Sequence, residues 1–523
     1  MQCLEDRETI QNNSKPTCPP LIKHSTHPTQ LPGSKSTLHT SSLHHQQQQQ
    51  TAQFYLPHES VPHAAAILGF PSRQSVSRAF HPGTCREIVD LAVTIAEFEP
   101  VRLYTRPEDI VSAQGLIKQR IHRHPASTSQ SLCLDHDSQD NQENGNSTPV
   151  PDLQSRIQII PCPTNHCWVR DTGPVFVRPV DTDPDLNPTT STTTQQQQQE
   201  HHFAVDFSFC EWGNKHLDPI FTPLPEDTDD PNTVWPIPSP TTLAENTDFA
   251  ARVIASFSPS SSSSIPITTA RVTTPLRLEG GGIEVDGQGT FFATESSIFC
   301  PQRNPDLTRA TAEEELTRLL GVRKFIWFPG RKGLDITDAH VDALVRVVRP
   351  GVVVVSRPRG YGHESLGDGN EETTSTSTAT AATSTSGELS RVRTRREWKR
   401  NYTEILAILS RETDALGRRF EVHEIEEPDP KYLTTQQQDT SAAPDAVPIA
   451  EEEEEDPAAS YVNFYLANGA VVMPVFGDPD ADERAVRTMR RLLPEREVRT
   501  VRVNCLPRMG GVVHCVTQQV PAL

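Results

Sequence analysis

No stretch of the sequence approaches the roughly 18 consecutive apolar residues that a membrane-spanning helix needs, so no such span is expected. Ten cysteines at irregular spacing do not make a disulfide scaffold. Cys162 and Cys167 have no second Cys/His pair to match them, so no metal site is expected. Residues 1–13 lack the basic start and apolar core of a secretory signal, and a reducing, cytoplasmic location is the default expectation. Aromatics make up 6% and hydrophobic residues 35%, while Pro, at 45, outnumbers Gly, at 26. A chain this poor in core formers either is largely disordered or mixes an ordinary core with polar filler.

The filler is concentrated. Residues 1–52 end in a glutamine tract, and five internal stretches (125–150, 181–200, 224–242, 364–388 and 434–457) are rich in Ser, Thr, Gln, Pro or acids, as 260–264 is in serine. None shows apolar periodicity, so none buries enough surface to offset the entropy of ordering. What remains, within 54–523, is about 350 residues and reads as one domain with disordered loop insertions. The net charge divides the same way. The five internal stretches hold 25 acidic residues and no Lys or Arg, so without them the −20 of the whole becomes +5. The acidity belongs to the insertions and says little about a partner. The basic run 391–400 reads as a solvated helix face, so no nucleic-acid partner is expected.

Short β-branched and aromatic runs at 157–160, 175–177, 203–207, 291–293, 325–328, 352–355, 470–475, 500–503 and 512–516 read as strands. Helical periodicity marks 87–97, 394–410 and 480–493, and 311–320 opens with the capping-box spacing Thr311-x-x-Glu314 before Gly321. Strand pairs with intermittent helices indicate an α/β or α+β fold.

Four segments crowd charged or reactive residues against Gly or Pro beside strands. Trp168-Val169-Arg170-Asp171-Thr172-Gly173-Pro174 reads either as a ligand-facing carboxylate or as a local ion pair capping a turn. Leu278-Glu279-Gly280-Gly281-Gly282 suggests close backbone approach or a flexible hairpin, and it lacks the GxGxxG spacing of a nucleotide loop. In Asp335-Ile336-Thr337-Asp338-Ala339-His340-Val341-Asp342 an extended chain puts Asp338, His340 and Asp342 on one face, as an acid/base centre, as a solvated turn, or as a metal site, the last less expected because no second His sits at ligand spacing. In Met509-Gly510-Gly511-Val512-Val513-His514-Cys515, Cys515 is either a nucleophile or an inert buried thiol. Together, a Cys, a His and several carboxylates at strand ends form a thiol-nucleophile constellation. A cysteine protease needs one orienting Asn or Asp, whereas Asp171, Glu279 and Asp342 together suit a planar cation, because guanidinium pairs with carboxylates bidentately. Guanidine hydrolysis by a thiol is the inference.

The motifs Trp168-x-Arg170-Asp171-x-Gly173-Pro174, Leu278-Glu279-Gly280-Gly281, Thr337-Asp338-x-His340-Val341-Asp342, Ser460-Tyr461-Val462-Asn463-Phe464-Tyr465-x-x-Asn468-Gly469 and Gly510-Gly511-x-x-His514-Cys515-x-Thr517-Gln518-Gln519 resemble, in order, those of the agmatine deiminase and bacterial-type peptidylarginine deiminase family, within the guanidino-modifying pentein superfamily. The resemblance implies a five-bladed α/β propeller of ββαβ repeats around a polar site. It implies Cys515 as nucleophile, His340 as acid/base and Glu279 as the partner orienting His340. Asp171 and Asp342 would grip the guanidinium, with Trp168 and Asn463 also on the substrate side. It implies no cofactor, and a small cationic guanidino substrate, first agmatine (to N-carbamoylputrescine and ammonia), alternatively peptidylarginine. A non-catalytic scaffold using the polar tracts is the reading of another class. Three positions depart from the family pattern. His166 and Ala339 replace an Asp and a Gly, and Ile336 replaces an acidic residue four before the His.

Overall fold

The computed structural model describes residues 52–123, 153–180, 201–217, 238–257, 268–361, 386–434 and 458–522. The expected filler at 125–150, 181–200 and 260–264 lies outside the described residues, as do 1–51 and most of the other three stretches.

Five small sheets repeat one plan, in which two antiparallel strands are followed by a helix that returns the chain to a third, parallel strand. In the third sheet Glu284–Val285 pairs with Thr290–Thr294, helix Arg309–Leu320 crosses over, and Lys324–Phe328 adds in parallel. In the fourth, Val345–Arg349 and Val352–Arg357 are followed by helix Ser386–Arg411 and Glu421–Glu426. In the fifth, Tyr465–Ala467 and Ala470–Val475 are followed by helix Pro479–Leu492 and Glu497–Arg502. The second joins Val175–Pro179, His201–Asp206 and Thr268–Thr273, with Phe54–Tyr55 added at its edge. The first is split across the sequence. Thr517–Pro521 pairs antiparallel with His63–Gly69, helix His81–Ala96 crosses to Val101–Thr105, and Ile157–Pro161 completes it. Each parallel return needs a crossover, and the amphipathic helix supplies one while covering the sheet's apolar face.

Neighbouring sheets touch in a closed ring. Thr517–Pro521 meets Val175–Pro179, Phe54–Tyr55 meets helix Arg309–Leu320, and Glu284–Val285 meets Val345–Arg349. Glu421–Glu426 then meets helix Pro479–Leu492, and Glu497–Arg502 meets helix His81–Ala96. This is the five-unit α/β arrangement expected of a pentein fold. Among the described residues no helix is long and apolar enough to cross a membrane.

Several expectations are corrected. Residues 240–242 are not filler: Pro240–Thr247 is a helix whose N-cap Ser239 accepts from the Thr242 amide. Residues 386–388 begin helix Ser386–Arg411, and Thr434 ends the short helix Lys431–Thr434. Helix Arg309–Leu320 is capped by Thr308, which accepts from the Thr311 amide, rather than by Thr311, and it ends at left-handed Gly321. Residues 512–516 are not a strand but a turn after Gly510, whose φ is +92°; the strand starts at Thr517. Residues 338–342 are not extended, because Asp338 and Ala339 are left-handed and Val341–Ala343 is a single 3-10 turn.

Candidate active site

The turn at 512–516 exists because its amides bond outward to another blade. The His514 and Cys515 amides both donate to Asn463 Oδ1, at 2.9 and 3.3 Å, and the His514 amide also donates to the Asn463 carbonyl at 3.0 Å. Asn463 Nδ2 donates to Cys515 Sγ at 3.4 Å, and the thiol lies 3.6 Å from Asp342 Oδ2. Trp168 is buried with its ring against Gly511, so close that a Cβ there would lie 2.5 Å from the ring. Its described contact is thus with the loop that carries the thiol.

Asp171 sits on the one-turn helix Val169–Thr172, with Oδ2 accepting from Trp212 Nε1 at 2.8 Å and Oδ1 from the Gly281 amide at 3.1 Å. Arg170, beside it, is not its ion partner. Arg170 turns to Glu59 at 3.0 Å, and its amide donates to the Cys515 carbonyl at 3.2 Å. Glu279 precedes the 3-10 turn Gly280–Gly282 and meets His340 Nε2 at 3.2 Å. Arg303 Nε donates to both Glu279 oxygens at 3.0 Å, and its Nη1 holds Asp338 at 2.8 Å. Asp338 therefore faces Arg303 and Lys215 rather than sharing a site face with His340 and Asp342. His340 Nδ1 points at Asp171 Oδ1, 3.7 Å away. Asp342 Oδ2 meets His514 Nδ1 at 2.7 Å, and His514 Nε2 meets Glu59 Oε1 at 2.7 Å. Among the described residues the other oxygen, Asp342 Oδ1, is buried with no hydrogen-bond partner. A buried acceptor left open is costly unless something arrives to fill it.

The charges follow from this packing. Burial opposes protonation of His340, but Asp171, Glu279 and Asp342 outweigh it and hold the imidazole at about 9. Burial pushes Asp171 up, and its carboxylate neighbours add to this. Burial also opposes ionisation of Asp342 and Glu279, yet His514 for one and Arg303 for the other bring them below the usual carboxylate range. The Cys515 thiol is pushed well up by burial, then by Asp342 and Asp171. These influences hold the sulfur as the thiol. A bound cation would cancel that field and favour the thiolate.

All seven expected residues, Cys515, His340, Glu279, Asp171, Asp342, Trp168 and Asn463, fall within this cluster or directly behind it. Sequence reasoning missed Trp212, Glu59, Arg303 and the bridging role of His514. Trp212 stands in Glu211-Trp212-Gly213-Asn214, where charge crowds against Gly as in the four chosen segments, so the same signal would have found it. The departures have local partners: His166 pairs with Glu211 at 3.3 Å, and Ile336 packs against the apolar core. Among the described residues no group of three or more His, Cys, Asp or Glu is placed to hold a metal ion.

The profile of Porphyromonas-type peptidyl-arginine deiminases matches residues 55–521. A Listeria monocytogenes relative is 30% identical over 470 residues, covering 90% of this chain and 96% of its own. Medicago truncatula agmatine deiminase is 28% identical over 479 residues, covering 90% of this chain and 97% of its own. The solved agmatine deiminase of Enterococcus faecalis superposes with a TM-score of 0.58 at 20% identity, over 90% of this chain and 96% of that one, which speaks to the fold.

Proposed function

The chain belongs to the Porphyromonas-type peptidyl-arginine deiminase family, and on that premise we propose that it hydrolyses a guanidino substrate, agmatine first, to a ureido product and ammonia. The observation that carries this is the unpartnered, buried Asp342 Oδ1, on the carboxylate whose other oxygen lies 3.6 Å from Cys515 Sγ. A guanidinium N–H fills that acceptor, and Asp171 takes the cation from the other side. The cation lowers the Cys515 pKa, the thiol proton is released to solvent, and the Sγ thiolate attacks the guanidinium carbon. His340, protonated at neutral pH, gives its proton to the departing nitrogen, which leaves as ammonia, and an amidino-thioether remains. Neutral His340 then takes a proton from water, the hydroxide adds to the same carbon, and the C–S bond breaks to return the thiolate while the new hydroxyl loses its proton to solvent, leaving the neutral ureido product. Glu279 orients His340 throughout, and Asn463 holds Sγ. No cofactor takes part, and a reducing, cytoplasmic setting suits a free thiol nucleophile.

Medicago truncatula agmatine deiminase supports agmatine as the substrate. Ile336, where the family pattern has an acid, favours the second reading, peptidylarginine, because it offers no charge to a distal amine. Ureido product formed from agmatine, free arginine and a peptidylarginine, measured side by side, separates the two. Cys515→Ala is expected to abolish turnover with the fold retained, and substantial residual activity would sink the assignment.

A further inference from the structure

Residues 211–214 form a run that L-amino acids avoid. Glu211, Trp212, Gly213 and Asn214 all have left-handed φ, at 52°, 51°, 82° and 61°. Such residues normally occur singly, and a run of them persists only where surrounding contacts over-determine it. The contacts are present. Glu211 is held by His166 at 3.3 Å and Asn246 at 2.7 Å, and Lys215, next in sequence, is held by Asp338 at 2.8 Å. The run aims one group into the site, the Trp212 indole N–H, 2.8 Å from Asp171 Oδ2.

We propose that Trp212 is a positioning residue that fixes the plane and the ionisation of Asp171 for guanidinium capture. Asp171 faces His340, Asp342, Glu279 and Cys515, so two further carboxylates oppose its charge, as does its burial. A neutral N–H donor stabilises the anion without adding a cation that would compete with the substrate. The Gly281 amide holds the other oxygen, so the carboxylate cannot rotate. The alternative is that Trp212 is a packing ring only, since it lies edge-on to Phe209 and His166 with centroids 5.0 and 5.3 Å apart.

Trp212→Phe keeps an aromatic ring and removes the N–H. The role in capture rests on the deiminase reading. The variant is expected to raise KM by about tenfold, the order of one hydrogen bond to a charged group, with kcat changed less than KM. The acid limb of kcat/KM should move to higher pH, because Asp171 then ionises later. A packing role predicts a lower melting temperature and no movement of that limb. A second readout needs no turnover: in a Cys515→Ala background, guanidinium binding followed by calorimetry should be weakened about tenfold by Trp212→Phe and should need higher pH. If Trp212→Phe does not fold, site-specific benzothienylalanine, with sulfur in place of N–H, enters the same assays. A folded variant with unchanged KM, acid limb and guanidinium binding overturns the proposal. Wild-type protein that turns over none of the three substrates, while guanidinium binding still shifts in the variant, overturns the deiminase reading and upholds the Asp171 role. No turnover and no guanidinium binding overturns both.

Discussion

Gly281 is the point on which the carboxylates converge. A Cβ there would lie 2.8 Å from Asp171 Oδ1 and from His340 Nδ1, and 3.1 Å from Asp342 Oδ2. Gly281→Ala is therefore expected to displace these groups and lower kcat/KM by about 100-fold, the order reached by a displacement of about 1 Å, with little change in melting temperature. His340 sets a pH dependence whose sign can be worked out. Its folded value, about 9, lies above its ordinary value, so its ion pairs contribute stability that is complete below the unfolded pKa of roughly 6.5 and is lost as pH rises through about 9. Between those values the melting temperature of wild type should fall more steeply than that of His340→Gln, and equal slopes would refute the raised value. The basic limb of kcat should report the same group. At this scale the candidate reactive residues were legible in the sequence, because Asp171, Glu279 and Cys515 stand in segments that also carry Gly or Pro, and His340 and Asp342 lie in a run of alternating charged residues. The residues that hold them were less so: Glu59 and Arg303 reach the site from distant segments and no local pattern announces a contact at such separation, whereas Trp212, beside Gly213, did carry a local signal.

The loop before His340 shows what an element demands of its residues. Ala339 has φ of +70°, with its amide bonded to Asp335 and its carbonyl to Thr294 Oγ1. The glycine usual in the family at this position would adopt that conformation without steric cost. Ala339→Gly is expected to stabilise the fold by about 0.5–1 kcal/mol, since relief of left-handed strain exceeds the entropy glycine adds to the unfolded chain. Urea unfolding at constant m-value measures it. Thr308→Ala, which removes the cap of helix Arg309–Leu320, should cost about 1 kcal/mol in the same experiment and leave kcat/KM unchanged. Helix and strand cores were readable from period alone, as in the four valines of Val352–Arg357 or the Tyr402, Ile405 and Leu409 stripe, all buried. Residues 512–516 misled for a physical reason. Their β-branched side chains suit a strand, but the amides at 514 and 515 are taken by Asn463, so no ladder forms.

Across the whole molecule, Arg346 binds the ring at its centre. Its guanidinium meets Glu284 of the third sheet at 2.9 Å, Glu59 at 2.5 Å and the Phe464 carbonyl, ahead of the fifth sheet, at 2.8 Å. Burial raises Glu284 to about 7 even with Arg346 beside it. Arg346→Met leaves Glu284 with only the Val347 amide and Glu59 with Arg170 and His514, and should cost about 3–5 kcal/mol in urea unfolding. The closure of the first sheet has a consequence for the newborn chain. Synthesis runs from Asp171 through Glu279 and Asp342 before it reaches Cys515, and the strand that seats the thiol must then find His63–Gly69, made more than four hundred residues earlier. On the ribosome, then, the candidate site's carboxylates are translated first and its sulfur last, so the thiol can be seated only after the strands of the other four sheets have been made.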